Sequence, residues 1–417
     1  MKNIGKLNLL TTSLLAGTIM TSSISGLAYA EEAKAAPPAT IKEALSASKA
    51  LFNFRLRYEG VDQDGLNNSA DALTYRIRAG LETGSYKNTS FLIDFEHIGD
   101  LVDDFNSTTN GKGTYPVVAD PNVTELNRLQ LTNKSLPDTT IVLGRQRIIM
   151  DDARFVGNVG WRQNEQTFDA LRVTNESIGK LKLDAAYVNR VNRIFGDEHP
   201  TNGHWTGDSY LINASHPTPL GNLTGFAYLI DADEASAASS QTVGARLAGK
   251  KDAGAGKLSY AFSYAQQEDY GSSNLDYSAD YYLLDAAYGI QGFVFGAGYE
   301  VLGGDDQRAF NTPFATLHKF QGWNDKFLVT PTNGIEDLYA KIGYTLGDAG
   351  PLKGLKFLAL YHDFSAETGS ADYGSELNFV ASAKLGSHAL TLKYSDYNAN
   401  DFSTDTSKIW ASIDFAF

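Results

Sequence analysis

Arginines recur at every second position in two neighbouring stretches of this 417-residue chain, Arg55 and Arg57 in FRLRY and Arg76 and Arg78 in YRIRA. A guanidinium presents a rigid fork of donors that pairs two-pronged with carboxylate, sulfate or phosphate, whereas a lysine ammonium is a better hydrated point charge. A third concentration lies in GRQRIIMDDARFVGNVGWRQNEQTFDA, residues 144–170. There Arg145, Arg147, Arg154 and Arg162 stand among Asp151, Asp152, Asn158, Trp161, Gln163, Asn164, Glu165 and Asp169, with Gly157 and Gly160 permitting close backbone approach. Aromatic and amide groups beside arginines suit a sugar acid, whose ring face can stack while its hydroxyls and carboxylate take hydrogen bonds. The plainer alternative is a packed external loop stabilised by its own ion pairs. The type of base changes along the chain: residues 55–193 hold 12 Arg and 5 Lys, and residues 194–417 hold 2 Arg and 11 Lys.

The elements that position these groups are strands. From Leu51 onward, segments of about ten residues place apolar side chains on alternate positions, the strand period. Phe52, Phe54, Leu56 and Tyr58 face one way over residues 51–59, opposite Asn53, Arg55, Arg57 and Glu59; Leu73, Tyr75, Ile77, Ala79 and Leu81 do the same over 72–82. Eighteen such segments can be counted, the last at 407–417 with Ile409, Ala411, Ile413, Phe415 and Phe417. Long polar connections (60–71, 99–124, 149–166, 191–206, 269–279, 302–334, 398–406) alternate with short ones (176–178, 216–221, 291, 386–387). An even strand number with short turns at one end and long loops at the other predicts an all-β fold, a transmembrane antiparallel barrel of about 18 strands forming a single domain over residues 49–417. Closure leaves no unpaired edge, which satisfies every backbone group in lipid.

The N-terminus supplies the compartment. Lys2 and Lys6 precede an apolar stretch from Leu9 to Met20, and Ala28-Tyr29-Ala30 offers a cleavage site, the layout of a signal peptide over residues 1–30. Its removal leaves 33 basic residues against 49 acidic, a mature net charge of -16. The expected location is the outer membrane of a Gram-negative bacterium. Residues 31–48 form a periplasmic leader, with a short helix possible from Ile41 to Ser48. Zero cysteine excludes disulfide scaffolds, thiol nucleophiles and cysteine metal sites, and the acidic balance argues against nucleic acid.

Lipid-facing arginine at mid-bilayer costs about 2–4 kcal/mol, so Arg55, Arg57, Arg76 and Arg78 must face the lumen. Parity assigns Asp94, Glu96, Arg128, Arg172, Lys182, Asp184, Arg190 and Arg246 to the same side. Residues 139–148 leave parity open, because Ile141 and Leu143 share a face with Arg145 and Arg147. The inward arginines suggest a track of weak sites for an anionic solute; the competing reading pairs them with Glu59, Asp94, Glu96 and Asp184 to hold the barrel open.

At residues 144–170 the sequence resembles the alginate-export family of outer-membrane channels, together with RLRYEGVDQDG at 55–65 and LTYRIRAGLETG at 73–84. The resemblance is residue-specific over roughly 51–172 and architectural beyond. It implies an 18-stranded barrel with a basic lumen that conducts anionic polysaccharide or oligosaccharide such as alginate-type uronates, and a lumen-lining role for Arg55, Arg57, Arg76, Arg78, Arg145, Arg147, Arg154 and Arg162. The arginine-poor second half departs from a fully encircling basic ring. The expected activity is passive passage, with no enzyme activity, cofactor or metal. The alternatives are a general small-solute porin without saccharide specificity, a barrel lipase, which would need a lipid-facing Ser and His pair, and a structural barrel with a filled lumen. Expected partners are outer-membrane lipid and lipopolysaccharide, the anionic saccharide, and the barrel-assembly machinery acting on the strand that ends at Phe417. The seven histidines show no ligand spacing, although His199, His204 and Asp197 share a loop, and acidic clusters such as Asp103 with Asp104 or Asp305 with Asp306 read as solvated loop charge.

Overall fold

The computed structural model describes residues 38–305 and 307–417. The expected signal peptide, the first part of the leader and Asp306 lie outside the described residues.

Eighteen strands close into one antiparallel sheet. They are β1 (Lys49–Gln63), β2 (Ala70–Glu82), β3 (Thr89–Asp104), β4 (Val123–Asn133), β5 (Thr139–Gln146), β6 (Thr167–Ile178), β7 (Leu181–Asn192), β8 (His204–Thr218) and β9 (Gly221–Ile230). The second half comprises β10 (Ser240–Ala253), β11 (Gly256–Asp269), β12 (Ser278–Ile290), β13 (Phe293–Leu302), β14 (Ile335–Ala349), β15 (Leu352–Ser365), β16 (Asp372–Leu385), β17 (His388–Asn398) and β18 (Thr406–Ala416). Each pairs with its sequence neighbours, and β1 closes the ring on β18 with Asn53 opposite Ala416 and Gln63 opposite Thr406. Several strands outrun their alternating segments: β1 continues to Gln63 and β3 to Asp104. Apolar alternation marks only the stretch where one face meets lipid; backbone pairing continues where both faces are wet.

Apolar side chains such as Phe95, Leu143, Ile212, Leu284, Leu338 and Leu377 are exposed on the outer surface. No helix among the described residues is long and apolar enough to cross a membrane. A closed 18-stranded barrel with an apolar exterior and a polar interior is the architecture of an outer-membrane barrel. Turns such as Gln291-Gly292, where both residues have positive φ (51° and 86°), are the two-residue hairpins that match strand twist, and they mark the periplasmic end.

Of the leader, Ile41–Ser46 forms a single helix, α1, whose first turn is capped by Thr40 Oγ1 accepting from the Glu43 amide at 3.1 Å. It docks beside the β2–β3 turn, where Gly84 N donates to the Ala44 carbonyl at 3.0 Å.

Two long external connections, 147–166 and 303–334, turn into the barrel and pair with each other. Val156 bridges Phe314 in parallel, and Gly157 N donates to the Phe314 carbonyl at 2.8 Å. Ile148, Met150, Val156, Phe310 and Phe314 form one buried cluster with inward-facing Phe168, Phe226, Tyr228 and Tyr281. Burial of apolar area, worth about 25 cal/mol per Å², therefore holds both loops against the wall on the β6–β13 side. The other side of the lumen, bounded by β1–β4 and β15–β18, keeps a cavity of about 750 Å³.

Candidate functional site in the barrel lumen

The sequence-derived arginines fall into three groups. Arg55, Arg57, Arg76 and Arg78 project inward from β1 and β2, and together they hold the incoming loop by its backbone. Arg55 donates to the carbonyls of Gly160 and Trp161 at 3.2 Å each, and Arg57 donates to the Trp161 carbonyl. Arg76 and Arg78 both reach the Gln163 carbonyl, at 3.2 and 3.3 Å. The arginine pairs, spaced to share one strand face, thus meet consecutive carbonyls of a loop more than 80 residues away. Arg57 Nε and Nη1 and Arg76 Nε have no hydrogen-bond partner among the described residues.

The second group is paired with carboxylates within the lumen, as Arg78 of the first group is too. Arg78 meets Glu96 at 2.6 Å, Arg128 meets Asp94 at 2.9 Å, and Arg172 meets Asp184 at 2.8 Å. Arg147, just past the end of β5, binds Glu165 at 2.7 Å. Glu165 is buried and also accepts from Asn127 at 2.9 Å and Asn158 at 2.7 Å. Arg162 reaches Glu59 at 3.0 Å and Asp325 at 3.2 Å. Arg154 lies deeper, against Glu300 at 2.6 Å and beneath the Phe320 ring at 4.7 Å. The proposed carboxylate partners Glu59, Asp94, Glu96 and Asp184 each meet an arginine, so much of the basic charge is compensated in place. A paired group is nearly neutral at a distance, and its field falls off faster than that of a lone charge.

Arg145 and Arg190 correct the expectation of a lumen position. In the β5–β6–β7 register Arg145 lies opposite Asp169, and Asp169 opposite Arg190. That row shares the wall face of Leu143 and Leu171, both exposed outward, while Gln146 and Phe168 of the alternate parity are buried inside. For Arg145 the simple alternation with Leu143 holds and the strand ends at Gln146. For Arg190 the cause is a bulge: the register slips between Val188 and Arg190, moving the arginine to the opposite face. Both find local partners, Arg145 with Asp169 at 2.7 Å and Arg190 with Asp197 at 2.6 Å.

Other groups came into view only in three dimensions. His318, from the 303–334 loop, stacks on Trp161 at 4.3 Å and 5°. Its Nδ1 meets Asp325 Oδ1 at 2.7 Å, and its Nε2 meets Lys393 Nζ of β17. Asp325 accepts only, so the ring proton sits on Nδ1 and Nε2 accepts from the ammonium. Lys393 Nζ lies over the rings of Trp161 at 4.1 Å, Trp323 at 3.8 Å and Trp410 at 5.0 Å. Trp323 N and Asn324 N donate to Glu376 of β16. Burial raises the Asp325 carboxyl, but His318, Lys408 and Arg162 outweigh it and hold it below its usual value. On the 303–334 side, the aromatic and amide residues of HKFQGWND, 318–325, are the sequence signal for this junction.

The cavity itself is lined by the arginine wall on one side and by Lys353, Lys356, Lys384 and Lys393 on the other. Ala50, Gly354, Ala389 and Phe417 also line it, which places it at the short-turn, periplasmic end. His204 and Asp197 come together at 3.4 Å, but no group of three or more His, Asp or Glu among the described residues is placed to hold a metal ion.

No protein-family model matches the sequence, and no curated protein is similar to it at a significant level. Solved structures do match over the whole barrel. OpdO of Pseudomonas aeruginosa is 14% identical, with 90% of this chain and 98% of that chain covered and a TM-score of 0.68. OccK9 (OpdG) of the same organism is 14% identical, over 90% and 100% of the two chains, at TM-score 0.69. OccAB2 of Acinetobacter baumannii is 17% identical, over 88% and 98%, at TM-score 0.67. At these identities the likeness is one of fold. These matches lend no support to the alginate-export resemblance beyond the barrel itself.

Proposed function

We propose that this protein is an outer-membrane channel for the passive passage of small solutes, leaning toward anions. The observation that carries the reading is the cavity of about 750 Å³ held between an arginine wall and a lysine wall, beside two loops packed against the wall on the β6–β13 side. Pockets of about 300–1,000 Å³ suit single small molecules. An extended uronate polymer is the less favoured cargo, because it would have to displace loops that share a hydrophobic core with the barrel wall. A single uronic acid, or a short acid of similar bulk, is of a size that a cavity of about 750 Å³ can hold.

The test combines two measurements on the purified channel. Reversal potentials across a planar bilayer are expected to show anion preference, and liposome swelling is expected to be faster with small uronic acids than with neutral or cationic sugars of equal size. Cation preference in the wild type would overturn the anionic part of the reading. Entry of long uronate chains at rates near those of monomers would restore the polysaccharide reading.

A further inference from the structure

We propose that the anion preference is set at the periplasmic mouth by Lys353, Lys356 and Lys384, and not along the arginine wall; the inference rests on the small-anion reading above.

Selectivity for a hydrated ion depends on charge that is both uncompensated and accessible. The arginine wall fails one condition or the other. Arg55, Arg78, Arg128 and Arg147 each have a carboxylate at 2.6 to 2.9 Å. Arg57 and Arg76 have fewer acidic contacts, but their residues are only 2% and 3% exposed, covered by the loop they hold. Lys356 and Lys384 differ on both counts. They are exposed and line the cavity, and neither forms an ion pair within 4.0 Å among the described residues. Lys353 has one acidic partner, Asp348, at 3.1 Å, with 59% of its side chain and 63% of the aspartate's exposed; an ion pair that open to water is worth little and leaves the ammonium free to exchange partners.

The backbone shows how three lysines reach one mouth. On a regular strand, residues 353 and 356 would point to opposite faces. In β15 the register against β16 shifts between Lys353 and Lys356, and Gly354 adopts φ +62°. This bulge turns both side chains to the lumen, where Lys353 lies directly opposite Lys384 and Lys356 opposite Ser382. Like charges placed directly opposite are destabilising. An entering anion relieves that repulsion, so the arrangement favours small carboxylate or phosphate-sized anions at the periplasmic end.

The chain has no native cysteine, which permits a test inside one assembled channel. Lys356→Cys/Lys384→Cys is incorporated in a planar bilayer, and the chloride-to-potassium permeability ratio is read before and after thiol reagents added on the periplasmic side. The double variant is expected to lose at least about half of the wild-type ratio at 0.1 M salt, where charges act over about 10 Å, and less at 1 M, where they act over about 3 Å. A cationic methanethiosulfonate should restore the ratio, and an anionic one should lower it further. The proposal is overturned if the ratio ignores the reagent's sign, or if Arg76→Gln lowers it while the lysine variants do not. A wild type without anion preference would instead remove the functional reading on which the inference stands. Comparing one channel before and after reaction separates charge from any effect of the substitutions on assembly.

Discussion

Arg57 holds Trp161 by two different groups. Its guanidinium donates to the Trp161 carbonyl and lies 4.3 Å from the centroid of the same residue's ring. A strand residue in the wall thereby fixes the tip of a loop that starts 90 residues later in the chain.

Replacing that grip should loosen the loop without opening the barrel. A hydrogen bond from a charged donor and a buried cation–π contact are together worth roughly 2–4 kcal/mol. Arg57→Gln is expected to increase open-channel current noise several-fold, while heat-modifiable mobility, which reports the barrel, changes little. Unaltered noise would mean that the hydrophobic cluster alone fixes the loop.

Acid should act on the same junction through His318. Burial, and after it Lys393 and Arg162, holds the imidazole well below the usual histidine value against the opposing pull of Asp325. The docked loop therefore carries a neutral histidine, while a released loop would protonate it near pH 6.5. Docking is fully supported above that value and loses support as pH falls below it, because the released state then binds more protons. Flickering should rise several-fold between pH 7.5 and 5 in the wild type and become pH-independent in His318→Gln. Asp325, held below its usual range, stays ionised throughout this window.

The Arg154–Glu300 pair should be costly to break. Glu300 takes Arg154 at 2.6 Å, Tyr281 at 2.7 Å and also Gln321, all within the buried cluster between the loops and β12–β13. Removing one member of a buried pair costs about 3–5 kcal/mol. Arg154→Met is expected to lower the urea midpoint of the folded channel clearly, and Arg154→Met/Glu300→Gln less than the single change. Equal losses in both would place the stabilisation in packing rather than charge.

Gly144 has a backbone role at the start of the 144–170 segment. Its φ is +110°, and a Cβ there would sit 2.2 Å from the Leu129 carbonyl oxygen across the β4–β5 pair. Gly144→Ala should cost about 1–3 kcal/mol of strain, seen as slower assembly into the heat-modifiable form. Normal assembly would show that β5, the shortest barrel strand, tolerates local unpairing.

The alternation of apolar and polar residues determined the strands, their number and their inward faces, because a two-residue period assigns each side chain to lipid or lumen and the cost of misplaced charge is large. On that basis Arg55, Arg57, Arg76, Arg78, Asp94 and Glu96 were legible. Periodicity carries no information about insertions, so the bulges that move Arg190 outward and bring Lys353 beside Lys356 had to be seen in the register itself. Nor could it show that residues 147–166 and 303–334 turn inward and meet at Trp161 and His318. That meeting depends on contacts between segments more than 150 residues apart, and such contacts leave no local period. The arginines were recognisable as chemistry from their spacing; only the tertiary structure made them holders of a loop and left the accessible uncompensated charge to lysines on the opposite wall.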